Sequence, residues 1–406
     1  MKEEFFKKFK KPFWSAIFIE LLHCLASYSM MAYLVIYLSK DLNLGDAQAN
    51  FLMGTMFFMG YFLPVIIGAV ADKKGFKETM TVSLVLMSLG YFFAFKANSF
   101  ATIFAALLSL SLGGAVMKPV IAGTVKMTTN EQDRTPGFSI YYIVINVGSF
   151  IAPFLANLIR TKSGHSRYIF IFCALVESAA FLISLFLYSN PETKNAENFS
   201  SSKFFSDLFE ALKDFKLLSF VLIYSGVWAL YSQIWSNIPL YIVSLDEKMK
   251  EKIEYFQMVD PVMIILLQYP IGKIMSKFRE LPSIISGILI SMVAVSSVGF
   301  VGINFGASYI AFSLALWAVG EMMFSPRAVE YVSVIAPKDK LALYIGIGFL
   351  PLAIGLGAGP YLGTLLKNLL EKEGHQDLLF PAMGIFALIV ALSLFVYDKK
   401  FGKVNP

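Results

Sequence analysis

Three kinds of residue are scarce in this chain of 406 amino acids, cysteine, histidine and the charged residues, and each scarcity excludes something. Two cysteines, Cys24 and Cys173, both inside apolar stretches, give no disulfide framework, and with only three histidines they give no His/Cys metal site. Charged residues make up 15% of the chain against 57% hydrophobic, whereas soluble domains carry roughly 25% charge. A soluble globular protein is therefore excluded. The net charge of +6 is spread through short loops and forms no basic patch, so it does not indicate nucleic acid. No catalytic Ser/His/Asp constellation is present, and the short termini leave no room for a soluble output domain, which argues against an enzyme or a sensor. No metal, cofactor or catalytic residue is expected.

What the chain has is long apolar runs. Phe13 to Leu38 is the first, and a helix of about 20 apolar residues spans the hydrocarbon core. It is too long for a signal-peptide core and no small-residue cleavage site follows, so it is expected to be retained. Glu20 and His23 interrupt it three residues apart, and Ser27 and Met31 continue the same stripe, which should face a wet cavity and not lipid. Twelve spans are expected: 13–38, 49–71, 79–95, 101–125, 138–159, 168–188, 217–243, 255–275, 281–302, 309–335, 342–366 and 378–397. With the N-terminus inside, inner segments hold 22 Lys plus Arg and outer loops 10, with Lys118 and Arg327 in the membrane. That excess places both termini in the cytoplasm of a multi-pass protein, expected in the cell membrane.

Residues 1–11 carry five lysines among Phe5, Phe6 and Phe9, an interfacial lead-in at the inner leaflet. Residues 190–202 are rich in Asn, Ser, Glu and Lys, and 203–215 place Phe204, Phe205, Leu208, Phe209, Leu212 and Phe215 on one helical face. The division expected is a bundle over 1–189, a cytoplasmic linker with an amphipathic helix over 190–216, and a second bundle over 217–406. Gly113 and Pro119 recur as Gly320 and Pro326, and Gly148 and Pro153 as Gly355 and Pro360, all displaced by 207 residues. One offset shared by four residues favours an internal duplication. A parallel repeat of six and six is the architecture of major facilitator transporters.

The sequence between the second and third spans agrees. Gly68, Asp72, Lys73, Gly75 and Lys77 fill every defined position of a pattern that resembles the facilitator signature G-x-x-x-D-[RK]-x-G-x-[RK]. Gly68 allows close helix approach, Gly75 permits a sharp turn, and Asp72 can act as a conformational latch. The resemblance implies an all-α membrane protein of twelve transmembrane helices in two pseudo-symmetric six-helix bundles.

A narrower resemblance is to the proton-coupled oligopeptide transporters. Phe13-Trp14, Glu20, Tyr28 and Tyr37-Leu38 keep the register of that family's first helix. Gly113-Gly114 with Lys118-Pro119, and Tyr142 with Asn146, Gly148 and Ser149, are similar to its next motifs. Trp228, Tyr231 and Gln233, then Gln257 with Asp260-Pro261, then Gly320-Glu321 with Ser325-Pro326, follow in the same order. The chain departs from the family where His23 and Cys24 replace a Glu and an Arg, Ser232 replaces a Glu, and Asp260 replaces an Asn. The linker is also too short for the two extra helices of many bacterial members.

The resemblance implies a secondary transporter, not an enzyme. It implies proton-coupled uptake of short peptides or a similar zwitterion by a monomer in the bilayer, or, alternatively, proton-coupled export of drugs or metabolites. Lys118 and Glu321 match residues that hold the two charged ends of the substrate. Tyr28, Tyr142, Asn146, Trp228, Gln233 and Asn237 are the neutral contacts expected, and Glu20, His23, Asp260 and Glu321 the proton carriers. Seven ionisable residues fall within spans: Glu20, Lys118, Glu177, Asp260, Glu321, Arg327 and Glu330. Facing lipid at about 3 kcal/mol each they would cost on the order of 20 kcal/mol, so they must face a cavity or one another. Arg327 and Glu330 are spaced to pair locally, and Glu177 matches nothing in the family pattern.

Overall fold

The computed structural model describes residues 9–64, 74–191, 210–211, 213–299, 306–337, 341–375 and 378–402, and among these no strand occurs. In the first part of the chain lie α1 (Lys11–Met31), α2 (Gly45–Phe62), α3 (Phe76–Lys96), α4 (Phe100–Thr128), α5 (Glu131–Ser163) and α6 (Tyr168–Phe186). The second part holds α7 (Phe215–Tyr231), α8 (Asn237–Leu245), α9 (Ile253–Gln257), α10 (Val259–Met275) and α11 (Glu280–Val298). It continues with α12 (Gly306–Ile335), α13 (Leu341–Ile347), α14 (Leu350–Lys372) and α15 (Leu379–Phe401).

Among the described residues 11 helical segments are long and apolar enough to cross a membrane. The expected span 49–71 appears as α2 and then passes into residues 65–73, outside the described set. Four expected spans are broken. The first is interrupted at Ala32 and Tyr33, directly after α1. The seventh changes to a tight turn at Ser232–Ile234 between α7 and α8. The eighth is interrupted at Met258, just ahead of Pro261, and the eleventh at Gly348 and Phe349, just ahead of Pro351. Residues 1–8 of the basic lead-in, and 203–209 and 212 of the amphipathic segment, lie outside the described residues.

The chain divides into two compact units. Unit 1 is Met1–Gln48 with Met59–Ser201, and unit 2 is Ala49–Phe58 with Ser202–Pro406. The middle of α2 thus packs with unit 2. Asp214 opens unit 2's first long helix, its carboxylate accepting from the amides of Lys216 at 2.9 Å and Leu217 at 3.3 Å and from the Tyr344 hydroxyl at 2.8 Å.

The duplicated glycines occupy matching helix crossings. In unit 1 Gly113 of α4 sits against Ser83 and Met87 of α3, and Ser83 Oγ donates to the Gly113 carbonyl at 2.7 Å. In unit 2 Gly320 of α12 sits against Gly287 and Ser291 of α11. Gly148 of α5 meets Cys24 of α1, and Gly355 of α14 meets Ser225 and Trp228 of α7. Gly355, Gly359 and Gly363, spaced four apart, bring the whole of that α14 face close to α7 and the turn after it. With no hydrophobic drive between helices in lipid, such small-residue contacts hold them through dispersion and backbone proximity.

Arg327 is fixed as its spacing with Glu330 implies. Its guanidinium donates to the Glu330 carboxylate and to the Phe278 carbonyl, with Glu280 3.8 Å away. This clamp ties α12 to the chain between α10 and α11, and it uses up the only arginine inside an expected span.

Candidate functional site

Each unit carries one charged centre at membrane depth. In unit 1 it is built on the polar stripe of α1. Glu20 is 2% exposed; one carboxyl oxygen accepts from the Cys24 thiol at 3.7 Å and the other has no partner among the described residues. One turn on, His23 Nδ1 lies 2.9 Å from Glu177 Oε1 of α6, with Ser27 Oγ at 3.4 Å. Glu177 is fully buried and its second oxygen is also unpartnered.

Lys118 completes the group from α4. Its ammonium lies 4.5 Å from the centre of the Tyr61 ring and 3.5 Å from the Tyr61 hydroxyl, a cation–π contact. The side chain is exposed on α4, and Glu20, His23 and Cys24 are within its electrostatic reach. Pro119 follows directly in the helix, and it leaves the carbonyl four residues back without its usual amide.

The tyrosine placed beside Glu20, Cys24 and Tyr28 is Tyr141, which is buried. Tyr142 is the outward neighbour, 61% exposed, and Asn146 donates its amide to the Tyr142 carbonyl at 2.8 Å within α5. Tyr28 is half-buried on the α1 stripe.

In unit 2 the centre is a pair of acids. Asp260 on α10 and Glu321 on α12 are half-buried, with their carboxyl groups within hydrogen-bonding reach of each other. One oxygen of each, Asp260 Oδ1 and Glu321 Oε2, has no partner among the described residues. Among the described residues no lysine or arginine acts on either carboxyl. A hydrogen bond between two carboxyl groups requires a proton on one of them.

An aromatic cluster adjoins it. Tyr224 lies close to Glu321. Trp228 and Tyr231 are 5.3 Å apart between ring centres, Tyr231 and Trp317 6.1 Å, and Trp228 and Phe324 6.3 Å. The indole nitrogens of Trp228 and Trp317 have no partner among the described residues.

Two residues expected as substrate contacts, Gln233 and Asn237, are hydrogen-bonded within unit 2. Gln233 and Asn237 are 3% and 2% exposed and their amides are engaged in packing. Gln233 donates to the carbonyls of Ala229 at 2.8 Å and Gly359 at 2.9 Å. Asn237 donates to Gln233 at 2.6 Å and accepts from Asn50 at 2.9 Å, and Asn50 also donates to Thr364 at 2.6 Å. These bonds satisfy polar groups where lipid offers none, so in this conformation both side chains hold α14 and the middle of α2 to the α7–α8 turn.

The loop signature is visible in part. Gly68, Asp72 and Lys73 lie outside the described residues. Gly75 has φ of 98°, in the left-handed region that favours glycine, and caps α3. The amide of Lys77 donates to Asn190 Oδ1 at 2.7 Å, and Asn190 Nδ2 donates to Glu78 at 3.0 Å. Asn190, just after α6, thereby closes the turn; its role was not legible in the sequence, because side-chain hydrogen bonds between residues 113 apart leave no local pattern.

Similarity to known proteins points to a single superfamily. The sequence profile of the Major Facilitator Superfamily matches residues 16–360. The multidrug resistance protein MdtH of Shigella sonnei (strain Ss046) is 22% identical over 349 residues, covering 84% of this chain and 83% of its own. MdtH of Escherichia coli (strain K12 / DH10B) matches to the same extent. A crystal structure of a POT family transporter in complex with 5-aminolevulinic acid superposes with a TM-score of 0.79 at 17% identity, covering 96% of each chain. The nucleoside transporter NupG gives 0.80 at 14% identity, covering 94% of this chain and 99% of its own.

Proposed function

Because this chain belongs to the major facilitator superfamily, and is a membrane transporter, we propose that it works by alternating access as a proton-coupled importer of short peptides or a similar small zwitterion. The observation that carries the reading is the division of fixed charge. Unit 1 holds an exposed ammonium, Lys118, suited to a carboxylate end, while unit 2 holds an acid pair, Asp260 and Glu321, that no cation among the described residues balances. A zwitterion needs one group of each sign, and in a low-dielectric site charge-assisted hydrogen bonds to both ends select for it.

Coupling follows from charge balance. The unit 1 centre holds two carboxyl groups against one lysine and one imidazole, and the unit 2 centre holds two carboxyl groups alone. Protons taken up on one side of the membrane neutralise these centres and are released on the other. The family's Glu-Arg pair is replaced by His23 and Cys24, so in this reading His23, with Glu20, Asp260 and Glu321, carries the coupling.

A second reading is proton-coupled export. Two observations favour it: the sequence relatives named multidrug resistance protein, and the unbalanced acid pair, which suits a cationic compound as well as a peptide amine.

Vesicles containing the purified protein separate the two. With the lumen alkaline and the outside acidic, labelled dialanine is expected to accumulate at least tenfold over protein-free vesicles, and a protonophore to abolish the accumulation. Depletion of preloaded compound against the same gradient would establish export in its place.

A further inference from the structure

One buried acid matches nothing in the family pattern, and the structure gives it a partner. Glu177 of α6 is fully enclosed, yet its Oε1 lies 2.9 Å from His23 Nδ1 and its Oε2 meets no donor among the described residues. Nothing else in unit 1 explains an acid there, because a leucine of similar volume would pack without a desolvation cost. His23 is only partly buried, at 14% for the side chain. No partner for its Nε2 is present among the described residues. The imidazole is therefore held from behind at one nitrogen and open at the other.

We propose that His23 Nε2 is the atom in unit 1 that takes up and releases the coupling proton, with Glu177 as the positioning residue that fixes its tautomer. The inference rests on the proton-coupled reading above. Glu177 Oε1 accepts from Nδ1–H, so the lone pair of the neutral ring is on Nε2. A proton from water on one side bonds to that lone pair and forms an imidazolium whose Nδ1–H stays on Glu177. On the other side the Nε2–H bond breaks and the proton returns to water.

Every charged group facing the ring enters the balance. Glu20 is on its own helix, Lys118 comes from α4 and Glu177 from α6, while Ser27 and, on α3, Tyr91 contribute neutral hydroxyls. Two carboxyl groups and one ammonium thus surround the ring, and a proton on the ring adds one positive charge beside the carboxyl groups. A substrate carboxylate that engages Lys118 withdraws its compensation from Glu20 and Glu177, and a proton on His23 restores it. Binding of substrate and proton thereby reinforce each other.

The tautomer provides a test without transport. In a variant carrying His165→Gln and His375→Gln, His23 is the sole histidine. Nitrogen-15 NMR of the histidine-labelled protein in nanodiscs is expected to show the Nδ1–H tautomer in the neutral ring, and Glu177→Gln to lower its population. A wild-type ring with the proton on Nε2 would overturn the assignment. For transport, gradient-driven accumulation of labelled dialanine is expected to fall at least tenfold more than its counterflow in Glu177→Gln, with recovery in Glu177→Asp. Wild-type accumulation insensitive to the pH gradient would overturn the proton-coupled reading and this inference together. Glu177→Gln with the wild-type ratio and pH profile would overturn the inference alone.

Discussion

Replacing Lys118 by alanine is expected to reduce dialanine uptake at least 100-fold while leaving the folded yield intact. Arg327 is engaged by Glu330 and the Phe278 carbonyl, whereas among the described residues the Lys118 ammonium meets only the Tyr61 ring and hydroxyl, so a carboxylate can reach it without breaking a salt bridge there. A hydrogen bond to a charged group contributes about 1.5 to 3 kcal/mol, and each 1.4 kcal/mol is tenfold in affinity. Losing one such bond, with the full charge behind it, accounts for a change of about two decades. The fold should survive because the side chain is accessible and makes no packing contact that alanine would leave as a buried void. Uptake by the purified variant, normalised to monodisperse protein, measures the effect. A value within threefold of wild type would show that the ammonium does not meet the substrate.

Gly320→Val is expected to do the opposite, removing the fold before any transport question arises. A Cβ on Gly320 would lie 2.6 Å from the Gly287 carbonyl oxygen, and one on Gly287 would lie 2.7 Å from the Gly320 carbonyl oxygen. Both obstacles are backbone, which cannot rotate away. The helices must separate, and the expected loss is about 3 kcal/mol, at the upper end of overpacking effects. Gly113→Val should behave alike at the matching crossing of unit 1, where Ser83 O stands 2.9 Å from the added atom. Gly114→Ala is the control, because nothing lies within 4 Å of its added Cβ, and its effect should stay within about 0.5 kcal/mol. Thermal unfolding in detergent, followed by the monodisperse fraction, distinguishes the three.

Those glycines show what a sequence reveals of a fold like this one. The 207-residue displacement of Gly113 to Gly320 and Gly148 to Gly355 is visible in one dimension, and it marks equivalent crossings because close approach tolerates only the smallest residue. Span positions were legible for a similar reason, since lipid enforces about 20 apolar residues whatever the neighbours. The breaks at Ser232–Ile234, Met258 and Gly348–Phe349 fall inside runs that remain apolar, so hydropathy passes over them.

The candidate site was legible where a charge stands out against an apolar background. Glu20, His23, Lys118, Asp260 and Glu321 are conspicuous for that reason, and the structure groups the first three in unit 1 and the last two in unit 2. Their partners were not legible. Glu177 reaches His23 across 154 residues of sequence, and Tyr141 and not its neighbour Tyr142 lies beside Glu20. On a helix adjacent residues point about 100° apart, so a motif does not by itself say which of two neighbouring tyrosines meets Glu20. Gln233 and Asn237 carry the same lesson: an amide in a membrane helix serves a ligand or a neighbouring backbone, and only the geometry distinguishes them.

The central claim is that substrate and protons move together through these charged centres. It is tested most directly by trapping a pH-sensitive dye inside vesicles holding the purified protein, with the lumen and outside at equal pH, and adding dialanine outside. The account requires the lumen to acidify on addition, and acidification to disappear in the Lys118→Ala variant. Dialanine that enters while the luminal pH stays constant would contradict it.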